Sequence, residues 1–391
     1  MANEPLRITH LIRAKPPGEV GGADAHLLDL ASAQATAGHG VRVVFLGPAH
    51  LSMALRDRGV PVIDIHSMSM IAWLRATWTA VRADPPDVVH SHGYRADFVA
   101  VALRLLRPSS ARWTLAMTVH GFIRTPHSLR VMSRLNEHAL RYADVVIAVS
   151  SPETQRLTAM LRRKVSFIPN GVAHTELLPR HEARRRLGAN PARRAVAFVG
   201  RLSPEKRPDL FVAMAALVAR DRPEAEFIVV GSGDRYDQTV RLAAAVPNVP
   251  ISFTGLVPDV ASLMKCFDVL VCPSDTEGTP RVVIEAMSAG VPVVASRVGG
   301  LPDLIVDGRT GFLVPPDSAA ALAERVSRLL GDESLSREMS HRARTHAKRT
   351  LSVAAMASRV TTAYRSGRGD TAPESNVGAA AMSGDPDGCQ A

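Results

Sequence analysis

The chain has 391 residues, 46% apolar and only 4% aromatic, enough for about two domains with cores built from Ala, Val, Leu and Ile. No apolar run approaches the roughly 18 residues of a membrane span, the N-terminus lacks a secretory pattern, and three cysteines without Cys-x-x-Cys spacing argue against a disulfide framework or zinc knuckle; a cytoplasmic protein is expected. The formal charge of +10 is unevenly placed: residues 1–190 hold 24 of the 47 Lys/Arg and 14 of the 37 Asp/Glu, and the remainder balances at 23 each.

In chain order, strands are expected at Leu6–Ile12, Val41–Leu46, Val60–Ile65, Asp87–His92, Trp113–His120, Asp144–Val149 and Val165–Pro169. Helices fall between them, among them Ala23–Ala37, Met68–Ala83, Arg95–Arg107, Ser128–Tyr142 and Pro152–Leu161. The second half repeats the scheme, with strands at Ala195–Gly200, Glu226–Val230, Ile251–Phe253, Val269–Cys272, Val291–Ala295 and Phe312–Val314. Short apolar runs separated by helices read as parallel strands buried on both faces, hence two doubly wound α/β domains. The division expected is 1–172, a linker at 173–194 with a short helix at Glu182–Leu187, 195–350, and a disordered Gly/Ala/Asp/Pro tail at 367–391. Open parallel sheets place ligands at the carboxyl ends of their strands, so the expected site is the cleft between the two domains.

The stripe Ile71, Leu74, Trp78 and Val81 is expected to face the core, as is the mixture of Leu129, Met132 and Leu135 with Arg130, Arg134 and Arg141. Either could alternatively press on an anionic membrane surface. Gly21-Gly22 opens the first helix and suits an anion approaching backbone N–H groups, yet it lacks the dinucleotide fingerprint; so does Gly231-Ser-Gly233. Either pair reads equally as a tight turn.

Gly200-Arg-Leu-Ser-Pro-Glu-Lys206 is stronger. Arg201 leaves the end of a strand, and Lys206 is expected in the first turn of the next helix, where a cation opposes the macrodipole unless an anion occupies the corner. A fork and a point charge together suit a diphosphate. His90 and His92, and then His120, sit at strand ends; the sequence nominates no third metal ligand, so His120 reads as a group for a sugar hydroxyl. Finally, Glu277-Gly-Thr-Pro-Arg-Val-Val-Ile-Glu285 places an acid before a helix expected at Arg281–Ala289, with Thr279 as capping hydroxyl and Gly290 as terminator. Glu285 follows roughly 8 Å along the axis.

Together, Glu277-x7-Glu285, Gly200-Arg201…Lys206, Gly21-Gly22, Val119-His120-Gly121 and Ile168-Pro169-Asn170-Gly171-Val172 resemble the family 4 retaining glycosyltransferases of the GT-B fold over about residues 6–366. The resemblance implies two Rossmann-like domains, the first for the acceptor and the second for the nucleotide sugar, with a C-terminal helix at about 351–366 packing back on the first. It implies catalytic roles for Glu277, His120, Arg201 and Lys206. It implies donor binding by Gly22, Arg201, Lys206, Gly231, Leu256, Val257, Gly278, Thr279, Pro280, Arg281 and Glu285, and an acceptor side that includes Gly21 and His92. Ala23-Asp24 departs from the family, which often has Glu after the double glycine. No metal or other cofactor is implied: the two cations stabilise the leaving diphosphate during front-face transfer of a hexose or N-acetylhexosamine. An epimerase of the same architecture, or a non-catalytic binding protein, are the competing readings. The acceptor is a glycan, a lipid or a small alcohol; the basic first half favours a phosphorylated acceptor or peripheral contact with an anionic inner membrane, and without interleaved aromatics it does not favour nucleic acid.

Overall fold

A computed structural model describes residues 4–13, 22–47, 51–108, 111–120 and 127–369. The expected disordered tail therefore lies, from residue 370, outside the described residues, as do Gly21 and Gly121.

The first sheet comprises β1 (Arg7–Arg13), β2 (Gly40–Leu46), β3 (Val62–Ile65), β4 (Val88–His92), β5 (Thr114–Val119), β6 (Val145–Ala148) and β7 (Ser166–Phe167). The helices α1 (Gly22–Thr36), α2 (Ser52–Arg56), α3 (Met70–Ala83), α4 (Tyr94–Leu106), α5 (His127–Ala139) and α6 (Ser151–Leu161) fall between them. All pairings are parallel, in the order β3-β2-β1-β4-β5-β6-β7. The order reverses between β1 and β4, so a crevice opens at their carboxyl ends, where open α/β sheets hold ligands.

After α7 (Arg180–Leu187), the second sheet contains β8 (Arg194–Val199), β9 (Ala225–Val230), β10 (Ile251–Gly255), β11 (Val269–Cys272), β12 (Val293–Ser296) and β13 (Phe312–Val314). Its helices are α8 (Pro208–Asp221), α9 (Tyr236–Ala244), α10 (Arg281–Ala289), α11 (Leu301–Leu304), α12 (Ala319–Gly331) and α13 (Glu333–Thr350). The order β10-β9-β8-β11-β12-β13 reverses between β8 and β11. Those two strands carry the loops with Arg201 and Glu277.

Both sheets are clad with helices on both faces, which is why their strands read as continuous apolar runs. Val196, Phe198, Phe227 and Val229 enter one core while Ala195, Ala197 and Ile228 enter another on the opposite face. A last helix, α14 (Val353–Arg368), leaves the second unit and returns to the first. Its Met356, Val360 and Tyr364 pack with Leu27, Leu30 and Ile147, each nearly or fully buried. Val172 and Leu351 are tied there by Val172 N–H donating to Leu351 O at 3.0 Å.

The expected α3 stripe faces the core in three of its four members: Val81 is buried, and Leu74 and Trp78 pack against the core beside buried Trp73 and Thr77. Ile71 is the exception, 70% exposed beside exposed Met68 and Met70. Trp73 holds the buried position at that end of the helix, and its indole N–H finds Ser67 O at 2.6 Å. On α5, Leu135 is half exposed rather than packed in the core, and the side chains of Leu129 and Arg130 lie outside the described residues.

Candidate active site

At the reversal point of the second sheet, Gly200 turns the chain out of β8 and Arg201 stands exposed, without an ion pair among the described residues. Lys206 does not open the following helix as expected. It ends a 3-10 turn over Pro204–Lys206, and α8 begins only at Pro208, because Arg207 between them is left-handed at φ 53°. Arg207 is held in that conformation by Asp209, Asp275 and Asp317, at 3.0, 3.0 and 2.8 Å.

The Lys206 ammonium donates to both oxygens of Glu277, at 2.6 and 2.7 Å. The two cations expected to clamp a diphosphate are thus an arginine without an ion pair among the described residues and a lysine bound to the neighbouring acid. Burial alone would lower the Lys206 ammonium, but Glu277 holds it above the usual lysine value. Glu277, 6% exposed, also accepts from Ser274 Oγ at 2.7 Å and more weakly from Cys272 Sγ at 3.7 Å, both at Oε1. A carboxylate has about four acceptor positions, so Oε2 retains one for a ligand hydroxyl. Burial, followed by Glu277, pushes the Cys272 thiol up to about 12; it is a neutral donor here and not a nucleophile.

Beyond Glu277 the chain enters α10 over the expected residues Arg281–Ala289 and stops at left-handed Gly290. Thr279 does not cap it. The N-cap position falls on Pro280, and the Thr279 hydroxyl donates across the cleft to Val149 O while Thr279 O accepts from Asn170 Nδ2 at 3.0 Å. Arg281 bridges the cleft as well, at 2.7 Å from Asp29 on α1, and lies 3.7 Å from Glu285. Burial raises the Glu285 carboxyl, an effect that Arg281 opposes and Asp29 reinforces. After β10, left-handed Gly255 presents Leu256 with 74% of its surface exposed, while Val257 packs on the second core.

On the facing side, no described residue lies within 4 Å of a Cβ built at Gly22, which leaves room for a ligand to approach the backbone where α1 begins. A Cβ at Gly278 would lie 2.8 Å from His120 O. The second sheet's acidic loop and the end of β5 therefore meet across the cleft. His120 stands over a column of buried rings: His26 from α1, His10 from β1, and His90 and His92 from β4. Register produces the column, since His10 pairs with His90 and Ile12 with His92 on adjacent strands. His92 is not at the acceptor-facing surface expected for it. It is 2% exposed, its Nε2 3.1 Å from His10 Nδ1 and its Nδ1 3.4 Å from His120 Nε2, so it supports His120 from beneath.

Comparison with known proteins gives the family and the fold. Residues 20–176 match the model for Glycosyltransferase Family 4, and residues 179–346 match Glycosyl transferases group 1. The D-inositol 3-phosphate glycosyltransferase of Actinosynnema mirum is 31% identical over 85% of this chain and 89% of its own length. The chain belongs to the group 1 glycosyltransferases. The homonymous protein of Nocardia farcinica is 32% identical over 67% of this chain, and the match spans 62% of that relative's length. Among solved structures, Anabaena HepE in complex with UDP superposes with a TM-score of 0.78 at 22% identity, over 92% of this chain and all of that one, which establishes the shared GT-B fold.

Several residues of this glycosyltransferase site have no counterpart in the sequence-based expectations. Gly299 and Gly300 follow β12 and press on the acidic loop: a Cβ at Gly299 would lie 1.8 Å from Glu277 O, and one at Gly300 would lie 2.0 Å from Gly278 O. Gly299 also has φ +52°. Their signal was present as a second Gly-Gly doublet before a Pro-containing helix start. Gly299→Ala is expected to cost about 1–3 kcal/mol, because the backbone carrying Glu277 must move. An unchanged urea midpoint would refute the tight contact. Gly231, expected to approach the donor, has a structural duty: its Cβ would sit 1.9 Å from Gly200 O.

Asp303 was also missed. It accepts from Ser151 N at 2.7 Å, so an acid from the second unit satisfies the N-terminus of α6 in the first. With Thr279–Val149 and Arg281–Asp29, it forms a latch across the cleft. Arg281→Ala should cost about 1–2 kcal/mol, discounted from a fully buried pair because Arg281 is one-fifth exposed and Arg58 stays 3.8 Å from Asp29. Small-angle scattering should show a larger radius of gyration with unchanged circular dichroism; an unchanged radius would dismiss the latch.

Proposed function

We propose that this group 1 glycosyltransferase moves a hexose or N-acetylhexosamine from a nucleotide-diphosphate sugar to an acceptor hydroxyl, with retention of configuration and without a metal. The observation that carries this reading is the Lys206–Glu277 pair at the switch point, beside free Arg201 and across from His120 and Gly22. A diphosphate entering between Arg201 and Lys206 competes with Glu277 for the ammonium. Lys206 then neutralises the leaving group, while Glu277 Oε2 turns to a sugar hydroxyl. As charge develops on the diphosphate, both cations are already oriented and need no reorganisation. Glu285, held less acidic by burial, suits the ribose hydroxyls, and exposed Leu256 offers an apolar surface to the base.

The column beneath His120 sets its tautomer. Asn170 Nδ2 donates to Thr279 O, so Asn170 Oδ1 accepts and His26 Nδ1 carries its proton. Gln34 Nε2 donates toward Tyr364, so Gln34 Oε1 accepts from His10 Nε2–H; His10 Nδ1 accepts from His92 Nε2–H, and His92 Nδ1 faces His120 Nε2 as an acceptor. His120 therefore carries its proton on Nε2 and leaves Nδ1, buried in this structure, as the acceptor for a sugar hydroxyl that enters the cleft.

Among the described residues, no helix is long and apolar enough to cross a membrane. The exposed Met68, Met70 and Ile71 at the start of α3, on the basic half of the chain, suit peripheral contact with an anionic surface, and the basic half equally suits a phosphorylated acceptor. Two relatives are named for D-inositol 3-phosphate, which supports the second. Donor binding is tested by a thermal-shift screen of nucleotide sugars. A cognate donor at 100 times its Kd is expected to add about 2.7 kcal/mol. No shift with any UDP-, GDP- or dTDP-sugar would reject the reading, and labelled donor with and without acceptor then distinguishes transfer from epimerisation.

A further inference from the structure

The histidine column brings one nitrogen from each of three rings close together at its outer end. We propose that His26 Nε2, His92 Nδ1 and His120 Nε2 form a binding site for a single divalent transition-metal ion of the zinc or cobalt type, whose occupation silences the transferase. One ring nitrogen from each of the three residues lies within 4.8 Å of the others. His92 Nδ1 and His120 Nε2 are 3.4 Å apart, about the edge of a tetrahedron with metal–nitrogen bonds of about 2.0–2.1 Å.

His26 is 2% exposed, and its Nε2 has no hydrogen-bond partner among the described residues. A buried, unsatisfied acceptor is costly unless a ligand meets it. Its other nitrogen is fixed by Asn170 at 2.8 Å, and His92's other nitrogen by His10 at 3.1 Å, with Gln34 behind it at 2.8 Å. Metal-binding histidines are oriented in this way, by a hydrogen bond from the nitrogen that does not ligate. Burial, followed by neighbouring rings, keeps His26 and His92 neutral, the state a metal requires.

His10, His90 and His92 are equally close, but in that inner triad His90 is held at both nitrogens by groups outside the triad, the Tyr364 hydroxyl at 2.7 Å and Thr118 Oγ1 at 2.7 Å. In the outer triad the hydrogen bond to be displaced runs between two of the ligand atoms themselves, His120 Nε2 and His92 Nδ1. The outer site also differs in kind from the donor corner, where the charges are Lys206 and Glu277. To ligate, His120 must shed the Nε2 proton and carry one on Nδ1, the nitrogen assigned above to the sugar. Metal and sugar thus demand opposite tautomers of one ring. The site stands on geometry alone; only the inhibition rests on the proposed function.

The test is a titration of the metal-free chain with Co2+, read by visible ligand-field absorption. One equivalent with an intense, low-symmetry spectrum is expected, competed away by Zn2+. His26→Gln should abolish it, Asn170→Ala should weaken it by about 10–100-fold, and His90→Gln should leave it intact, with folding checked by circular dichroism. A weak octahedral spectrum in the wild type, or loss in His90→Gln with retention in His26→Gln, overturns the assignment. Should His26→Gln fail to fold, X-ray absorption of the zinc-loaded wild type decides: three imidazoles support the site and fewer refute it. A parallel arm measures the thermal shift with UDP in chelator. Failure there alone rejects the donor reading and leaves the metal site standing; failure of the Co2+ arm alone does the reverse.

Discussion

Lys206→Ala is expected to reduce turnover by about 10²-fold or more, the effect of losing one preorganised group that meets developing charge. The structure adds a second expected result. Glu277 is only 6% exposed and takes two of its hydrogen bonds from that ammonium, so the variant strands a carboxylate with little water around it. Breaking a buried pair from one side costs about 3–5 kcal/mol; because the Lys206 side chain is 28% exposed, the low end of that range applies. Activity and stability should therefore fall together, unlike the result for a lysine serving only as a ligand for phosphate. Lys206→Arg separates the two: it restores the charge and much of the stability, but a guanidinium fork cannot sit on both Glu277 oxygens with the lysine's geometry. Steady-state rates and urea midpoints read both. Near-normal turnover in Lys206→Ala would remove the catalytic role assigned to this corner.

What the sequence disclosed follows from how local each determinant is. The strands β11 and β13 and the helix α10 were bounded to the residue because short apolar runs, Pro280 and Gly290 punctuate the chain locally. Lys206 and Glu277 were likewise conspicuous, since each is a charge in a loop or turn beside a proline-marked helix start. What was not visible depends on which elements touch. No spacing reveals that His10 on β1 meets His90 on β4, because sheet order rather than sequence makes those strands neighbours. For the same reason Thr279 reads as a cap from sequence but spends its hydroxyl on Val149 across the cleft. The turn at Lys206 was misjudged by one element: Ser203-Pro204 is a sound helix start, yet Pro208 offers a second, and left-handed Arg207 with three acidic partners decides between them. On α3 only the first member of the stripe was misjudged: Ile71 and Trp73 both fit an apolar face, and only the packing shows which is inside.

Glu277→Gln tests the other half of the pair, and its combination with Lys206 tells support from chemistry. The glutamine keeps an acceptor for Ser274 and Cys272 but removes the charge that holds Lys206 protonated against its burial. Turnover should drop by about 10²-fold or more, since neither the sugar hydroxyl nor the lysine meets the partner it needs. Stability should fall by about 3 kcal/mol, the cost of a stranded ammonium that can partly reach solvent. Lys206→Met together with Glu277→Gln strands neither charge, and replacing both partners of an inward pair is often close to neutral. The double variant should therefore regain most of the stability lost by either single change while remaining as inactive as the worse of them. A double variant that stays as unstable as the singles would mean that the pair is not the source of the loss. One that recovers turnover with stability would mean that the pair only holds the loop of Glu277 in place, and that the chemistry lies elsewhere in the cleft.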